Sequence, residues 1–147
     1  MTPPKFPVLC FTKNLDVTPV TNAPELAVCG PRTLREVKLL GMDIVDASGA
    51  SWRVSAISQV GYAPFSWRWL NPFIPRLRRI EYALEPGPKC SLHEVQERVL
   101  ACIDAHPEYW REVSYDDTDL IERKAAVRNT KAIADLHDVL GSDIFGD

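Results

Sequence analysis

The stretch from Met42 to Val60, Met-Asp-Ile-Val-Asp-Ala-Ser-Gly-Ala-Ser-Trp-Arg-Val-Ser-Ala-Ile-Ser-Gln-Val, constrains the fold more than any other part of the chain. Two strand-like runs flank Asp46-Ala47-Ser48-Gly49. Asp and Ser side chains can bond their own backbone, and Gly tolerates positive φ, so this segment reads as a hairpin turn. In the second run Trp52, Val54 and Ala56 alternate with Arg53 and Ser55, the period of a strand with one wet face. The alternation slips at Ile57 and Val60, which predicts a bulge near Ala56.

A chain of 147 residues is long enough for one real core and is expected to form one α+β domain over residues 1–147. No apolar run approaches the roughly 20 residues of a membrane span. The opening Met-Thr-Pro-Pro-Lys-Phe-Pro lacks a secretory apolar region, so a cytoplasmic protein is expected. Cys10, Cys29, Cys90 and Cys102 show no CxxC spacing and read as free thiols.

Phe6 to Phe11 is apolar on both faces, as in a strand covered on both sides. Asp16 to Val20 reads as an edge strand, because Pro19 removes a ladder donor. Asn22-Ala-Pro-Glu25 reads as a turn before a short apolar run, Leu26 to Cys29. Thr33-Leu-Arg-Glu36 is a capping box for a short helix that feeds the hairpin. Gly61 to Pro75, rich in Pro and Trp, reads as an irregular segment. Arg78 to Glu85 alternates as a strand, with Ile80, Tyr82 and Leu84 on one side. Ser91-Leu-His-Glu94 is a second capping box, opening a helix to Ala105 that His106-Pro107 stops. Glu108 to Val113 reads as a last turn packed on the sheet. Two further helical segments follow, capped by Asp117 or Thr118 and by Asn129 or Thr130. Strands first and helices last predict an α+β fold, an antiparallel sheet with helices packed on one side. Its strands should be Met42–Asp46, Ser51–Val60 and Arg78–Glu85, with Trp52, Val54, Ile80, Tyr82, Leu84, Val95 and Val99 buried.

The three histidines suggest packing or surface roles. Cys90 and His93 make half a zinc site with no second pair at ligand spacing, so no metal and no cofactor are expected. Phosphate loops, nucleophile elbows and HExxH are missing, and no catalytic set is expected. One alternative is a hydrolase around Asp43 and Asp46, although Asp46 is better explained as the turn residue.

Charge is divided along the chain. Residues 1–79 hold ten Lys/Arg against five Asp/Glu, and residues 80–147 hold seven against fifteen. Trp67, Arg68, Trp69, Arg76, Arg78 and Arg79 could serve as a nucleic-acid or membrane-surface platform. Their competing role is to plug the end of the sheet, and an acidic protein is a poor polyanion binder. The acidic cluster Glu108, Glu112, Asp116, Asp117, Asp119 and Glu122, with Tyr109 and Tyr115 among its members, has the composition of a surface for a basic protein.

Three pieces recur in one order: a short helix before Ile-Val-Asp-Ala-Ser-Gly-Ala-Ser-Trp-Arg-Val, a Trp segment running into Arg-Arg-Ile-Glu-Tyr-Ala-Leu, and Ser-Leu-His-Glu-Val-Gln-Glu-Arg-Val-Leu. This arrangement, over roughly Pro31 to Leu140, resembles small bacterial immunity proteins encoded beside secreted toxins. The resemblance implies an inhibitor that binds and neutralises a cognate toxin domain without catalysis. Its partner would be that toxin, basic in character, with neither nucleic acid nor membrane expected; the oligomeric state stays open.

Overall fold

The computed structural model describes residues 3–29, 39–62, 77–114 and 117–140, with backbone alone for 111–114 and 117–119. Six strands form one antiparallel sheet: β1 Val8–Phe11, β2 Val17–Val20, β3 Val28–Cys29, β4 Asp43–Val45, β5 Ser51–Tyr62 and β6 Arg78–Pro86. Their order across the sheet is β2-β1-β4-β5-β6-β3. Five helices are described: α1 Ala23–Leu26, α2 Leu92–Ala105, α3 Pro107–Ser114, α4 Asp117–Arg128 and α5 Ile133–Leu140. The fold is α+β, as the order of elements predicts.

The hairpin forms as read. Asp43, Ile44 and Val45 pair with Arg53, Trp52 and Ser51. Gly49 takes φ +89°, and a Cβ there would stand 2.5 Å from the Cys90 carbonyl oxygen, so the turn needs glycine twice over. The expected bulge falls between Val54 and Ala56, and a second register shift follows between Gln59 and Gly61. Pro19 sits on the edge strand β2, where its missing N–H costs no ladder bond.

The two edges of the sheet, β2 and β3, are joined by the short stretch from Val20 to Val28. With four residues of it helical, that stretch spans about 20 Å at most. Six flat strands would separate those edges by about 24 Å. The sheet therefore curls, and its inner face closes on itself: Val8, Cys10, Val20, Leu26, Cys29, Ile44, Trp52, Val54 and Ile80 make one buried cluster. Tyr82 helps hold the curl, its hydroxyl donating to the Leu26 carbonyl at 2.8 Å.

Helices α2 to α5 cover the other face. Because Ile44 and Val45 are consecutive in a strand, they point oppositely. Val45 joins Leu9, Phe11, Val95, Val99, Ile103 and Leu136 in a second cluster, under α2 and the later helices. Trp52, Val54 and Ile80 are buried as expected, but inside the curl rather than beneath α2. Tyr82 and Leu84 are only partly buried, packed on the rim of that inner cluster.

Three local readings need correction. Asn22-Ala-Pro-Glu25 is not a simple turn but starts α1. The Asn22 side chain accepts from the Glu25 N–H at 3.0 Å, and Glu25 reaches back to the Thr21 N–H at 3.0 Å. Glu108 to Val113 belongs to an eight-residue helix, α3, because Pro107 is preorganised for a first helical position. The N-terminal bonds of α5 come from Asp135, which accepts from the Lys131 and Ala132 N–H groups; the Thr130 hydroxyl instead donates back to the Val127 carbonyl. The Ser91 cap is as predicted, with Oγ accepting from the Glu94 N–H at 3.2 Å. The capping box at Thr33–Glu36 and the Trp segment at 63–76 lie outside the described residues.

One side chain ties the helices together. Gln96 Nε2 on α2 donates into the open carbonyls at the end of α4, 3.1 Å from Val127 O and 3.2 Å from Thr130 O, and lies 2.8 Å from Thr130 Oγ1. Gln96→Ala is expected to cost about 1 kcal/mol, because the Thr130 carbonyl loses its donor while the Val127 carbonyl keeps the Thr130 hydroxyl. The urea midpoint should fall with an unchanged m-value.

Candidate functional site

The acidic segment is divided between two helices that pack on each other, α3 and α4. On α3, Trp110 turns inward at 5% exposure, while Tyr109 stays 49% exposed. Their rings meet edge-on, 5.2 Å apart and at 86°. Arg123 of α4 lies over the Trp110 ring, 5.5 Å from its centre. Its Nη1 also donates to the Val139 carbonyl of α5 at 3.1 Å. The same residue therefore fixes α3, α4 and α5 relative to one another.

On α4, Leu120 and Val127 face the core, whereas Ile121 is 69% exposed. Ile121 lies about 100° around the helix from Leu120, on the side of α4 that the core does not cover. Nothing in the local sequence separates Ile121 from Leu120, and the acidic cluster read from composition does not include it. Glu108 and Glu122 are exposed beside these two apolar side chains in sequence. The side chains of Glu112, Asp117 and Asp119, and the whole of Tyr115 and Asp116, lie outside what is described. Tyr109 on α3 and Ile121 on α4 are thus two large exposed side chains within an acidic stretch of the sequence.

The candidate catalytic carboxylates are engaged elsewhere. Asp46 is 1% exposed. Its Oδ1 accepts from the Ser48 N–H at 2.8 Å, the Ser48 hydroxyl at 2.6 Å and the Ala50 N–H at 3.1 Å; its Oδ2 accepts from the Lys5 N–H at 3.0 Å. Burial pushes this carboxyl up, but the Ser48 hydroxyl and the backbone donors of Lys5, Ser48 and Ala50 outweigh it and hold it below the ordinary range. Asp43 points to the other face, where Arg53 Nε lies 2.9 Å and Arg98 Nη2 2.6 Å from its oxygens. Burial raises Asp43 too, and the two guanidinium groups more than reverse that. Each carboxylate thus has structural partners, and the two do not face a common space.

The cysteines are free. Burial drives the Cys10 thiol far up and Cys102 to about 11, so both stay protonated and inert near neutrality. His137 is nearly buried, with Nε2 3.1 Å from the Thr21 hydroxyl and Nδ1 3.6 Å from Asp138. Thr-His-Asp is a catalytic combination in principle. Here Asp138 is 85% exposed and beyond hydrogen-bond reach, so the Thr21–His137 bond serves to satisfy a buried ring between α5 and the end of β2. His106 bridges the end of α2 to the β1–β2 turn, 2.8 Å from Asn14 O and 3.2 Å from Asp16 Oδ1. Among the described residues no three His, Cys, Asp or Glu side chains are grouped to hold a metal.

Of the Trp/Arg platform, Trp67, Arg68, Trp69 and Arg76 lie outside the described residues. Arg78 is half-buried with its guanidinium 4.4 Å from the Tyr62 ring centre, and Arg79 is exposed next to it on β6. Among the described residues no helix is long and apolar enough to cross a membrane. No family model, curated protein or solved structure matches the chain.

Proposed function

We propose that this protein is a cytoplasmic immunity-type inhibitor that neutralises a basic toxin domain by binding it, without catalysis. The carrying observation is a pair of large exposed side chains, one on α3 and one on α4. Tyr109 and Ile121 stand exposed on two braced helices within the most acidic part of the chain. Apolar anchors supply the affinity of an interface, and surrounding carboxylates supply encounter rate and choice of partner. A toxin that acts on nucleic acid carries a basic cleft, since its substrate is a polyanion. The hydrolase alternative is weakened because Asp46 is held by the donors of its own turn and of Lys5, and Asp43 by Arg53 and Arg98.

Co-expression with the toxin encoded alongside tests the proposal. Tyr109→Ala combined with Ile121→Glu is expected to weaken the complex at least about 100-fold, as two lost anchors at about 2 kcal/mol each would predict. Because Tyr109 also packs edge-on against Trp110, a stability loss of about 0.5–1.5 kcal/mol is expected, and binding is compared where both chains stay folded. Charge reversal at Asp117, Asp119 and Glu122 should slow association and flatten its salt dependence. Full protection by these variants would mean another surface binds. Failure of the wild-type chain to bind or protect would dispose of the inhibitor reading itself.

A further inference from the structure

We propose that the cleft between the β1–β2 turn, the β4–β5 strands and α2 binds a small organic oxyanion, a phosphate monoester or aromatic carboxylate. This goes beyond the inhibitor reading and does not depend on it, since the cleft is built from residues outside the α3–α4 surface. The cleft has a volume of about 420 Å³; among the described residues its lining holds Lys13, Arg53 and Arg98 against one carboxylate, Asp43, an excess of two positive charges. Glu85, paired with Arg53 across β5 and β6, lies beside this lining.

The cations are arranged rather than scattered. Phe11, Asp43 and Arg53 lie side by side across β1, β4 and β5, because their positions are paired in register. Asp43 binds Arg53 through Nε and Nη2 and binds Arg98 through Nη2, leaving each guanidinium with further N–H donors. Arg98 is also held 4.5 Å over the Phe11 ring. Asp43 thus fixes two forked donors beforehand, which lowers the ordering cost of a ligand. Lys13 makes no ion pair or hydrogen bond with any described residue, and it lines the cleft as a third cation.

The wall is apolar and held in an unfavourable conformation. Leu15 has φ +62°, in the left-handed region that a branched side chain seldom occupies, and is 49% exposed while lining the cleft. Leu15 offers contact to an organic substituent, while Lys13, Arg53 and Arg98 offer donors to its charged head; Phe11, 1% exposed and covered by Arg98, only forms the floor beneath them.

The test is a titration of ¹⁵N-labelled full-length protein with inorganic phosphate and with phenyl phosphate, followed by amide shifts. Saturable shifts are expected at Lys13, Leu15, Gly41 and Arg53, with phenyl phosphate at least about threefold tighter because apolar burial adds to the charge term. Lys13→Ala should weaken binding about fivefold, the worth of one charge near 4 Å in water. Lys89→Ala, an equal charge change at an exposed site elsewhere, should leave it unaltered. The variants' own spectra report whether they fold. Absence of saturation near 10 mM, shifts that ignore Lys13→Ala, or equal affinity for the two probes would overturn the proposal.

Discussion

Asp46→Ala is expected to destabilise the protein by about 3–4 kcal/mol. The side chain is buried and accepts four hydrogen bonds, three from backbone N–H groups that would be left without an acceptor. Hydrogen bonds to a charged group are worth about 1.5–3 kcal/mol singly, and they overlap here because one turn is lost as a unit. Asp46→Asn should cost less, about 1–2 kcal/mol, because one oxygen can still serve Ser48 and Ala50 while an amide N–H now opposes that of Lys5. Acid should act in the same direction. Asp46 and Asp43 both have folded values below the ordinary carboxyl range. The unfolded chain therefore binds the additional protons: the contribution is complete above about pH 4 and is lost as pH falls through the folded values. Urea midpoints between pH 7 and pH 3 should fall for the wild type and fall less for Asp46→Ala.

Trp110→Ala is expected to cost about 3–5 kcal/mol, the range for removing a large buried aromatic. It should also release α3. Trp110 is the inward anchor of that helix, the ring on which Tyr109 packs and the ring beneath Arg123. Trp110→Phe keeps most of the packing and should lose about 1–1.5 kcal/mol. Chemical denaturation gives the stability, and exchange of α3 amides separates local release of the helix from global unfolding. If the α3–α4 surface binds a toxin, Trp110→Ala should lose affinity in step with loss of α3 protection. Strong binding by a chain with an unprotected α3 would place the interface elsewhere.

Several features were legible because they rest on short-range physics. Asp46-Ala-Ser-Gly49 can close only as a tight turn, Ser91 with Glu94 can only open a helix, and Pro19 can sit only where no ladder bond is needed. Each is decided by atoms within four residues. The misread segments failed for a related reason. Asn22-Ala-Pro-Glu25 carries turn residues and cap residues at once, and a single helical turn satisfies both. Thr130 can cap a following helix or back-bond to a preceding one, and the end of α4 took its hydroxyl.

The candidate surface was half legible. Acidic residues and Tyr109 stand out by composition, but Ile121 was hidden beside Leu120 until the packing of α4 showed which of the two faces inward. The cationic cleft was not legible at all. Lys13, Arg53 and Arg98 are far apart in the chain, and Asp43, the residue that assembles two of them, looked like half of a catalytic pair.

By itself, then, the sequence determined the hairpin, the strand periods, the second capping box and the α+β class, because turn chemistry and side-chain alternation act locally. Only the tertiary structure decided that the sheet curls into its own core. The short Val20–Val28 connection must join opposite edges, a requirement with no meaning until the strand order exists. That curl sends Trp52 and Ile80 inward, away from the helices, and register then sets Asp43 between two arginines that no spacing in the chain connects.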